Sequence, residues 1–312
     1  MTDHEPTPGP DFLSEPARAV LASPRVDMPF PALDDTEGWL RRIEAANAAT
    51  RDQYAGVELG VRAEERGIAG VPTYVLRSDE VPDGDRTPVY LDLHGGGLIY
   101  GGGDVTRLSC SRTAAATGLV HWAVDYRVPP RHPFPAALDD VMAVYRVLLD
   151  ERDPSEIVVG GGSAGGNLAA ALMLRAADEG LPRPAALVLL TPEVDLTESG
   201  DSFVTVAPYD NTLASLRTVN LLYAGGRELT DPYLSPLFGD LSGFPPTLLT
   251  AGTRDLFLSN SVRMHRKLRE AGVDAELHVF EARPHGGFGG APEDLEVYAE
   301  LRRFTDRRLG RS

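Results

Sequence analysis

The stretch Ile157-Val-Val-Gly-Gly-Gly-Ser-Ala-Gly-Gly-Asn167 decides the fold. A short apolar run, typical of a buried strand, leads into it, and the helix-forming run Leu168–Ala177 follows it. Its centre, Gly161 to Gly165, matches G-x-S-x-G, a sharp strand-to-helix turn that exposes a serine hydroxyl at the helix N-terminus. Glycines beside the serine let such a turn close without side-chain clashes. The pattern predicts a nucleophilic Ser163 on an α/β sheet.

The same glycines also fit a second pattern. Gly160, Gly162 and Gly165 satisfy G-x-G-x-x-G, which binds dinucleotides when it follows a strand and opens a helix. That site also needs an acidic residue at the end of a following strand about 20 residues on, and we find no convincing one. A third interpretation is tight packing alone. The glycine run by itself therefore leaves three hypotheses open.

Working outward from this stretch, apolar runs alternate with helical segments, which indicates one open, mostly parallel sheet. Several runs are continuously apolar, as expected when helices cover both faces of a parallel sheet. Predicted strands are Val57–Glu65, Val71–Leu76, Val89–Leu93, Val120–Asp125, Ile157–Gly160, Ala186–Leu190, Leu248–Gly252 and Ala275–Phe280, with a turn at Gly67–Gly70. Predicted helices are Phe12–Ala22, Asp34–Arg51, Asp104–Thr117, Ala136–Leu149, Asn167–Glu179, Ser259–Ala271 and Pro292–Arg308.

A second motif favours nucleophilic chemistry. His94-Gly95-Gly96-Gly97 directly follows the predicted strand Val89–Leu93. Acyl transfer passes through a tetrahedral oxyanion that needs preorganised N–H donors, and a glycine loop lets the backbone come close to it. The loop would supply such donors, with a further N–H from Ala164, the residue after the serine.

A serine nucleophile needs a base and an orienting carboxylate, in the chain order Ser, Asp/Glu, His for this type of sheet. We predict His285 as the base, because it lies on a loop directly after the strand Ala275–Phe280, whereas His265 and His278 fall within a predicted helix and strand. Asp255 is the preferred acid, because it follows Leu248–Gly252 and its loop should neighbour that of the histidine. Asp195, which also follows a strand, is the alternative, and Asp231 opens a turn.

Composition narrows the class of protein further. The 312 residues include 30 basic and 46 acidic side chains, a net charge of −16, which disfavours nucleic acid and anionic membranes as partners. No apolar run approaches the roughly 18 residues of a membrane span, and Met1 to Pro16 lacks the features of a signal peptide. Cys110 and Lys267 are the sole cysteine and lysine, so a disulfide framework, a cysteine-based zinc site and a P-loop are excluded. We expect a cytoplasmic protein.

Several motifs together resemble the bacterial hormone-sensitive lipase family of α/β-hydrolases. They are His94–Gly97, the Ser-Ala-Gly-Gly-Asn run 163–167, Asp125-Tyr-Arg127, His132-Pro-Phe-Pro-Ala-Ala137 and Asp231-Pro-Tyr-Leu-Ser-Pro-Leu237. The resemblance spans roughly Val71 to the C-terminus. It implies an α/β-hydrolase fold with a helical cap. Residues 1–55 would form the N-terminal cap segment and 56–312 the catalytic domain, with a cap insertion near 199–226.

The resemblance also assigns roles. Ser163, Asp255 and His285 would form the catalytic triad, and Gly96, Gly97 and Ala164 the oxyanion hole. His94, Gly95, Gly161 and Gly165 would support the two motifs. This chain departs from the family's usual residues at four places, which are Gly162 before the serine, Ser259 four residues after Asp255, the extra glycine in His285-Gly-Gly-Phe288, and Arg131.

The predicted function is hydrolysis of short- to medium-chain acyl esters through an acyl-enzyme, on small-molecule substrates, without a metal or other cofactor and as a possible homodimer. The same triad would also serve a lactonase, an amidase, or an acetyl-ester hydrolase acting on a sugar, sterol or secondary metabolite. A non-catalytic binding protein and a nicotinamide oxidoreductase are the alternatives from other classes. The first predicts a lost triad member, and the second would make the H-G-G-G run a coincidence.

Overall fold

The computed structural model of this chain describes residues 8–25, 29–81 and 87–311. The predicted unstructured lead Met1–Pro10 falls largely outside these ranges. The strands are β1 (Val61–Ile68), β2 (Val71–Ser78), β3 (Val89–Leu93), β4 (Val120–Val124), β5 (Ile157–Gly162), β6 (Ala186–Leu190), β7 (Thr247–Arg254) and β8 (Ala275–Pro284). The helices are α1 (Glu15–Ala22), α2 (Thr36–Tyr54), α3 (Asp104–Thr117), α4 (Ala136–Glu151), α5 (Ala164–Asp178), α6 (Ser202–Thr205), α7 (Arg217–Ala224), α8 (Leu258–Glu270) and α9 (Asp294–Arg308).

The strands form one sheet in the order β1-β2-β4-β3-β5-β6-β7-β8. From β4 to β8 all neighbours run parallel, while β1 and β2 are antiparallel to each other and β2 is antiparallel to β4. β3, β4 and most of β5 and β6 are buried, which explains their continuously apolar sequences. The predicted mostly parallel α/β sheet is confirmed. β5 lies near its centre, and its C-terminal end leads directly into Ser163.

The first hairpin differs from the prediction at its boundaries. β1 begins at Val61 rather than Val57 and continues to Ile68, so the turn is only Ala69–Gly70, both with positive φ. Gly67 was expected in the turn but pairs with Pro72 in the ladder. The reason is that β1 is an almost fully exposed edge strand, so its sequence carries no burial pattern to mark its ends.

Two segments outside the sheet meet over its carboxyl edge. Trp39 of α2 packs in an apolar cluster with residues from the loop after β3, from the start of α7 and from the loop after β7. The six residues of this cluster, called the Trp39 cluster below, are Trp39, Ile99, Leu216, Val219, Leu256 and Phe257. Polar contacts join the same parts. Asn47 accepts a hydrogen bond from the Gly101 N–H at 3.0 Å. α2, the loop after β3 and the segment around α7 therefore form one packed layer.

α1 packs elsewhere. Leu13, Ala17 and Leu21 lie against Ala282 and Phe288, on either side of the loop that carries His285. The Ser14 N–H and hydroxyl both donate to the Glu293 carboxylate just before α9. α1 therefore supports the flank of the histidine loop, and its C-terminal end contacts the segment between α6 and α7, where the Asn211 amide donates to the Val20 and Ser23 carbonyls. Among the described residues, none of the helices has the length and apolar character to cross a bilayer.

Candidate active site

The turn at Ser163 is held in an unusual backbone conformation by close packing. Ser163 has φ 55° and ψ −120°, and its N–H donates to the Leu190 carbonyl at 2.9 Å. A Cβ on Gly161 would lie 2.4 Å from the Leu93 carbonyl oxygen, and one on Gly165 only 1.8 Å from it. Only glycine allows β3 and α5 to approach this closely. Gly165 is thus explained by the contact between α5 and β3, and Gly161, near the end of β5, by its contacts with Leu93 of β3 and Gly165 of α5.

Gly160, the first glycine of the competing dinucleotide pattern, also has a packing role. A Cβ on Gly160 would lie 2.1 Å from the Tyr90 hydroxyl and 2.8 Å from Val188 Cβ. Gly160 of β5 therefore makes room for the ring of Tyr90 on the neighbouring strand β3. Packing accounts for Gly160 without a bound dinucleotide.

Three side chains from separate loops form a continuous hydrogen-bonded chain. His285 follows β8 directly, and its Nε2 lies 3.0 Å from Ser163 Oγ. Its Nδ1 lies 3.0 Å from Oδ1 of Asp255, which follows β7 directly. The carboxyl ends of β5, β7 and β8 lie along one edge of the sheet. Ser163 and Asp255, 92 positions apart in sequence (255 minus 163), and Asp255 and His285, 30 positions apart, therefore meet there. The structure brings all three predicted residues together.

The acid is buried and the histidine is fixed from several sides. Asp255 is fully buried, and its Oδ1 also accepts a hydrogen bond from the Phe257 N–H at 2.8 Å. The Phe257 ring contacts the His285 imidazole edge-on, with centroids 4.7 Å apart. Thr212, from the segment between α6 and α7, donates its hydroxyl to the His285 carbonyl at 2.7 Å. These contacts fix the position of the imidazole between Ser163 and Asp255.

The electrostatic surroundings favour the protonated imidazole. Burial alone lowers the pKa of His285, but the charge of Asp255, its hydrogen bond and the more distant carboxylate of Asp210 raise it, and the net pKa lies above the ordinary histidine value. A raised pKa strengthens the imidazole as a proton acceptor. With Nδ1–H donating to Asp255, Nε2 is left as the acceptor that faces Ser163.

The H-G-G-G loop curls beside Ser163. Gly96 and Gly97 have φ 116° and 57°, and a Cβ on Gly96 would lie 2.6 Å from the Tyr100 carbonyl oxygen. In the described part of the chain no protein acceptor takes the N–H of either residue. His94 is buried and stacks on Tyr126, and its ring nitrogen Nδ1 lies 2.8 Å from the Gly95 carbonyl. Burial lowers the pKa of His94 to about 4, so the neutral ring holds the loop by hydrogen bonding.

The other residues considered from sequence lie in structural contacts. Asp195 forms an ion pair with Arg263 at 2.7 Å and accepts hydrogen bonds from the Thr197 and Ser199 hydroxyls. Burial alone raises the pKa of Asp195, but these partners lower it below the ordinary value. Asp231 accepts from the Tyr233 N–H in a turn. His265 contacts the Ala275 carbonyl, and His278 lies 3.9 Å from two glutamates.

Two of the departures from the family pattern have a clear structural setting. The nearest atom to a Cβ on Gly162 would be the Leu190 carbonyl oxygen at 3.7 Å, which is an ordinary contact, so this position accepts a side chain. Ser259, in place of the usual acid, accepts from the Ser202 N–H at 2.9 Å and donates its own N–H to the Ser202 hydroxyl. Ser259 thereby ties α8 to α6.

Sequence reasoning missed Asp210 and Glu193. Asp210 is buried between α6 and α7. Its Oδ2 accepts from the Leu256 N–H at 2.8 Å, beside Asp255, while its Oδ1 accepts from the Thr212 N–H. Glu193 is buried in the loop that follows the end of β6 at Leu190. Its N–H donates to the Ser163 carbonyl, and burial raises its pKa to about 8. Neither position belongs to a sequence motif. For Glu193, its place after a predicted strand was a signal that could have been used, and Asp210 offers no such signal.

Comparison with known proteins identifies the class of protein to which the chain belongs. The model of a family described as having the alpha/beta hydrolase fold matches residues 90–288, so the class indicated by the sheet and the turn at Ser163 is that of the α/β-hydrolases. An esterase of Acinetobacter venetianus is 33% identical over 214 residues, which are 66% of this chain and 69% of that protein. Among the described residues, no group of three or more His, Cys, Asp or Glu side chains is arranged to hold a metal ion.

Solved structures narrow the class to a family. The crystal structure of esterase E25 has a TM-score of 0.85 and 34% identity, covering 98% of this chain and 96% of that one. An esterase from the bacterial hormone-sensitive lipase family has a TM-score of 0.79 and 32% identity, covering 95% and 96%. The chain belongs to the bacterial hormone-sensitive lipase family of α/β-hydrolases, and it is a carboxylic ester hydrolase.

Proposed function

We propose that this chain hydrolyses short- to medium-chain acyl esters through an acyl-enzyme intermediate carried by Ser163. The observation that carries the proposal is the unbroken series of hydrogen bonds from Ser163 Oγ through His285 to Asp255. An isolated serine hydroxyl is a weak nucleophile, and an adjacent base oriented by a third group is what activates it.

In the first half of the reaction, Ser163 Oγ attacks the ester carbonyl carbon and His285 Nε2 accepts the hydroxyl proton. Asp255 keeps the other ring proton on Nδ1 and stabilises the imidazolium that forms. The tetrahedral intermediate then collapses, the ester C–O bond breaks, and the leaving alkoxide takes its proton from Nε2. The raised pKa of His285 favours the first transfer.

The negative charge on the former carbonyl oxygen needs donors that are already in place. We assign this role to the N–H groups of Gly96, Gly97 and Ala164. Two facts support the assignment. The N–H groups of Gly96 and Gly97 have no protein acceptor among the described residues, and Ala164 begins α5, whose N-terminus carries partial positive charge. One such donor is worth about 3 kcal/mol of barrier in related chemistry.

In the second half, a water molecule replaces the alcohol. It donates a proton to Nε2 as it attacks the acyl-enzyme carbonyl, and the carboxylic acid leaves while Ser163 Oγ takes the proton back. Both halves use the same three side chains and require no cofactor. The same steps would cleave a lactone, an acetylated sugar, sterol or secondary metabolite, or an amide.

We further propose that residues 1–55 and the insertion near 199–226 act as the cap. The Trp39 cluster supports this, because it brings α2 and α7 together above the loop after β3 and beside Phe257. A Cβ on Gly97 would contact Val219 and Leu216, so the segment around α7 lies against the proposed oxyanion hole. A cytoplasmic location and a homodimer stay predictions.

The test is to label and then remove the proposed nucleophile. A diethyl p-nitrophenyl phosphate adduct, located by peptide mass spectrometry, should lie on Ser163. Ser163→Ala should lower kcat for p-nitrophenyl butyrate by more than about a thousandfold while leaving the melting temperature unchanged. Ser155→Ala, at an exposed turn remote from the site, is the matched control and should keep full activity. Labelling at another residue, or an active Ser163→Ala, would refute the proposal.

A further inference from the structure

Glu193 is a buried acid that the proposed reaction does not use. Among the described residues, neither of its carboxyl oxygens has a hydrogen-bond partner. An ionised carboxylate in such a place would have no donor to replace its lost water, which is strongly unfavourable. Burial therefore favours the neutral carboxyl, and a neutral carboxyl carries an O–H that needs an acceptor.

The backbone of Glu193 is fixed against the turn that carries Ser163. Its N–H donates to the Ser163 carbonyl at 3.1 Å, and its own carbonyl accepts from Nδ2 of Asn167 in α5 at 2.7 Å. Ser163 directly precedes α5. Any displacement of Glu193 is therefore passed on to the nucleophile.

The side chain of Glu193 meets α7 at Asn220. Asn220 is fully buried, and its Nδ2 donates to the Leu196 carbonyl at 3.1 Å, while its Oδ1 has no partner in the described part of the chain. Contact with this amide lowers the pKa of Glu193, so the two side chains are neighbours. A carboxylic acid and a primary amide each carry a donor and an acceptor, so the Glu193 O–H has Asn220 Oδ1 as its acceptor.

Charged groups on other elements also act on Glu193. Burial is the main cause that raises its pKa, to about 8, and the carboxylates of Glu198 and Asp195 act in the same direction. The Asn220 amide and the positive charge of His285 act in the opposite direction. The carboxyl therefore loses its proton within the pH range of an ordinary rate assay.

We propose that Glu193 is a positioning residue whose neutral carboxyl joins the turn at Ser163 to Asn220 of α7. The inference rests on the proposed function, since the rate that it affects is that of Ser163. Val219, the neighbour of Asn220, lies beside Gly97 of the proposed oxyanion hole. Loss of the link therefore lets α7 and the oxyanion donor move relative to the nucleophile.

Ionisation of Glu193 breaks this link, because a carboxylate has no proton to donate to Asn220 Oδ1. The new negative charge would stabilise the imidazolium of His285 and destabilise the oxyanion, and these two effects oppose each other. The lost hydrogen bond therefore decides the direction. The rate falls as the pH rises through the Glu193 pKa.

The experiment measures kcat/KM of the full chain for p-nitrophenyl butyrate between pH 6.5 and 9.5, with the spontaneous rate subtracted. Glu193→Gln keeps a donor but cannot ionise, and Glu193→Leu keeps a similar volume without a donor. Glu64→Gln makes the same acid-to-amide change on the exposed edge strand β1 and is the matched control. Melting temperatures at pH 5.5 and 8 report stability without any substrate.

In the wild type, kcat/KM should fall about eightfold between pH 8.5 and 9.5, which is the loss of neutral carboxyl for a pKa of about 8. Glu193→Gln should abolish this fall. Glu193→Leu should lose about fivefold at pH 7.5, the effect of one hydrogen bond, and Glu193→Gln should restore it. Glu64→Gln should follow the wild type at every pH.

Stability gives a second readout. The pKa of Glu193 is raised from its ordinary value of 4.5, so between about pH 4.5 and 8 the folded chain holds a proton that the unfolded chain has lost. Rising pH in this window therefore destabilises the wild type, and Glu193→Gln escapes this loss. The melting temperature of Glu193→Gln relative to the wild type should rise from pH 5.5 to pH 8.

Three results would overturn the inference. They are a wild type without the alkaline fall, a fall that persists in Glu193→Gln, and a Glu193→Leu variant with full activity at pH 7.5. A difference in melting temperature that does not change with pH would also overturn it, since Glu193 would then be ionised in the folded chain. A wild type that hydrolyses no p-nitrophenyl butyrate refutes the proposed function instead, and the melting comparison still tests the neutral carboxyl.

Discussion

Alanine substitutions at Gly165 and Gly162, on either side of Ser163, should have opposite outcomes. A Cβ on Gly165 would lie 1.8 Å from the Leu93 carbonyl oxygen and 2.8 Å from that of His94. Because real Cβ contacts essentially never fall below 3.0 Å, α5 and β3 would have to separate by at least 1.2 Å (3.0 minus 1.8). Both atoms at the contact are backbone, so no side-chain rotation relieves it.

The magnitude follows from this displacement. Overpacking of a core costs about 1–3 kcal/mol, and a backbone contact belongs at the upper end, so Gly165→Ala should lose about 3 kcal/mol of unfolding free energy. β3 leads through His94 and Gly95 into Gly96 and Gly97, so the proposed oxyanion donors would move relative to Ser163. A misplacement of about 1 Å costs roughly a hundredfold in rate, which is the expected loss of kcat/KM.

Gly162→Ala is the internal control. Its Cβ would meet nothing closer than 3.7 Å, and Gly162 does not have positive φ, so stability should change by less than about 0.5 kcal/mol and activity should be kept. Urea unfolding followed by tryptophan fluorescence and initial rates on p-nitrophenyl butyrate measure both quantities. Wild-type stability and activity in Gly165→Ala, or equal damage in the two variants, would refute the packing argument.

Three further outcomes are expected. His285 must be neutral to accept the serine proton, so kcat/KM should fall as the pH drops through the His285 pKa. Asp210→Asn removes a carboxylate that raises this pKa, so the fall in kcat/KM should move to lower pH. A pH profile that does not shift would contradict this. Asp255→Asn should lower kcat by about 10⁴-fold, whereas Asp195→Asn should mainly lower the melting temperature. A large loss of kcat in Asp195→Asn with an active Asp255→Asn would show that Asp195, and not Asp255, orients the histidine. Trp39→Ala should cost about 3–5 kcal/mol in urea unfolding, because a fully buried ring is lost, and a change below 1 kcal/mol would show a loosely packed layer.

Local sequence signals located most of the sheet and the three central residues. β3, β6 and α3 occupy the predicted ranges, because continuous apolar runs bounded by glycine, proline and polar residues mark buried elements. β7 and β8 extend further than predicted, to Arg254 and Pro284, so that Asp255 and His285 follow them with no intervening residue. The order of strands and loops was sufficient to predict that these two residues would be neighbours.

The contacts made by Asp210 and Thr212 could not be found in this way. Both lie in the irregular stretch between α6 and α7, outside any helix or strand, and their partners Leu256 and His285 are 46 and 73 residues away. The location of α1 beside the histidine loop was missed for a similar reason, since an apolar helix face does not reveal which surface covers it. Such contacts are determined by tertiary packing rather than by local sequence.

The composition of the Trp39 cluster has a consequence for the order in which the molecule assembles. Its members run from Trp39 to Phe257, a separation of 218 residues (257 minus 39), with Ile99 and Val219 between them. Contacts that close such long loops are entropically costly and form late, after the sheet provides a surface for them. The catalytic loops would therefore gain their cover last on folding, and this layer would open first in the native protein. Amide hydrogen exchange should accordingly be faster in α2 and α7 than in β5.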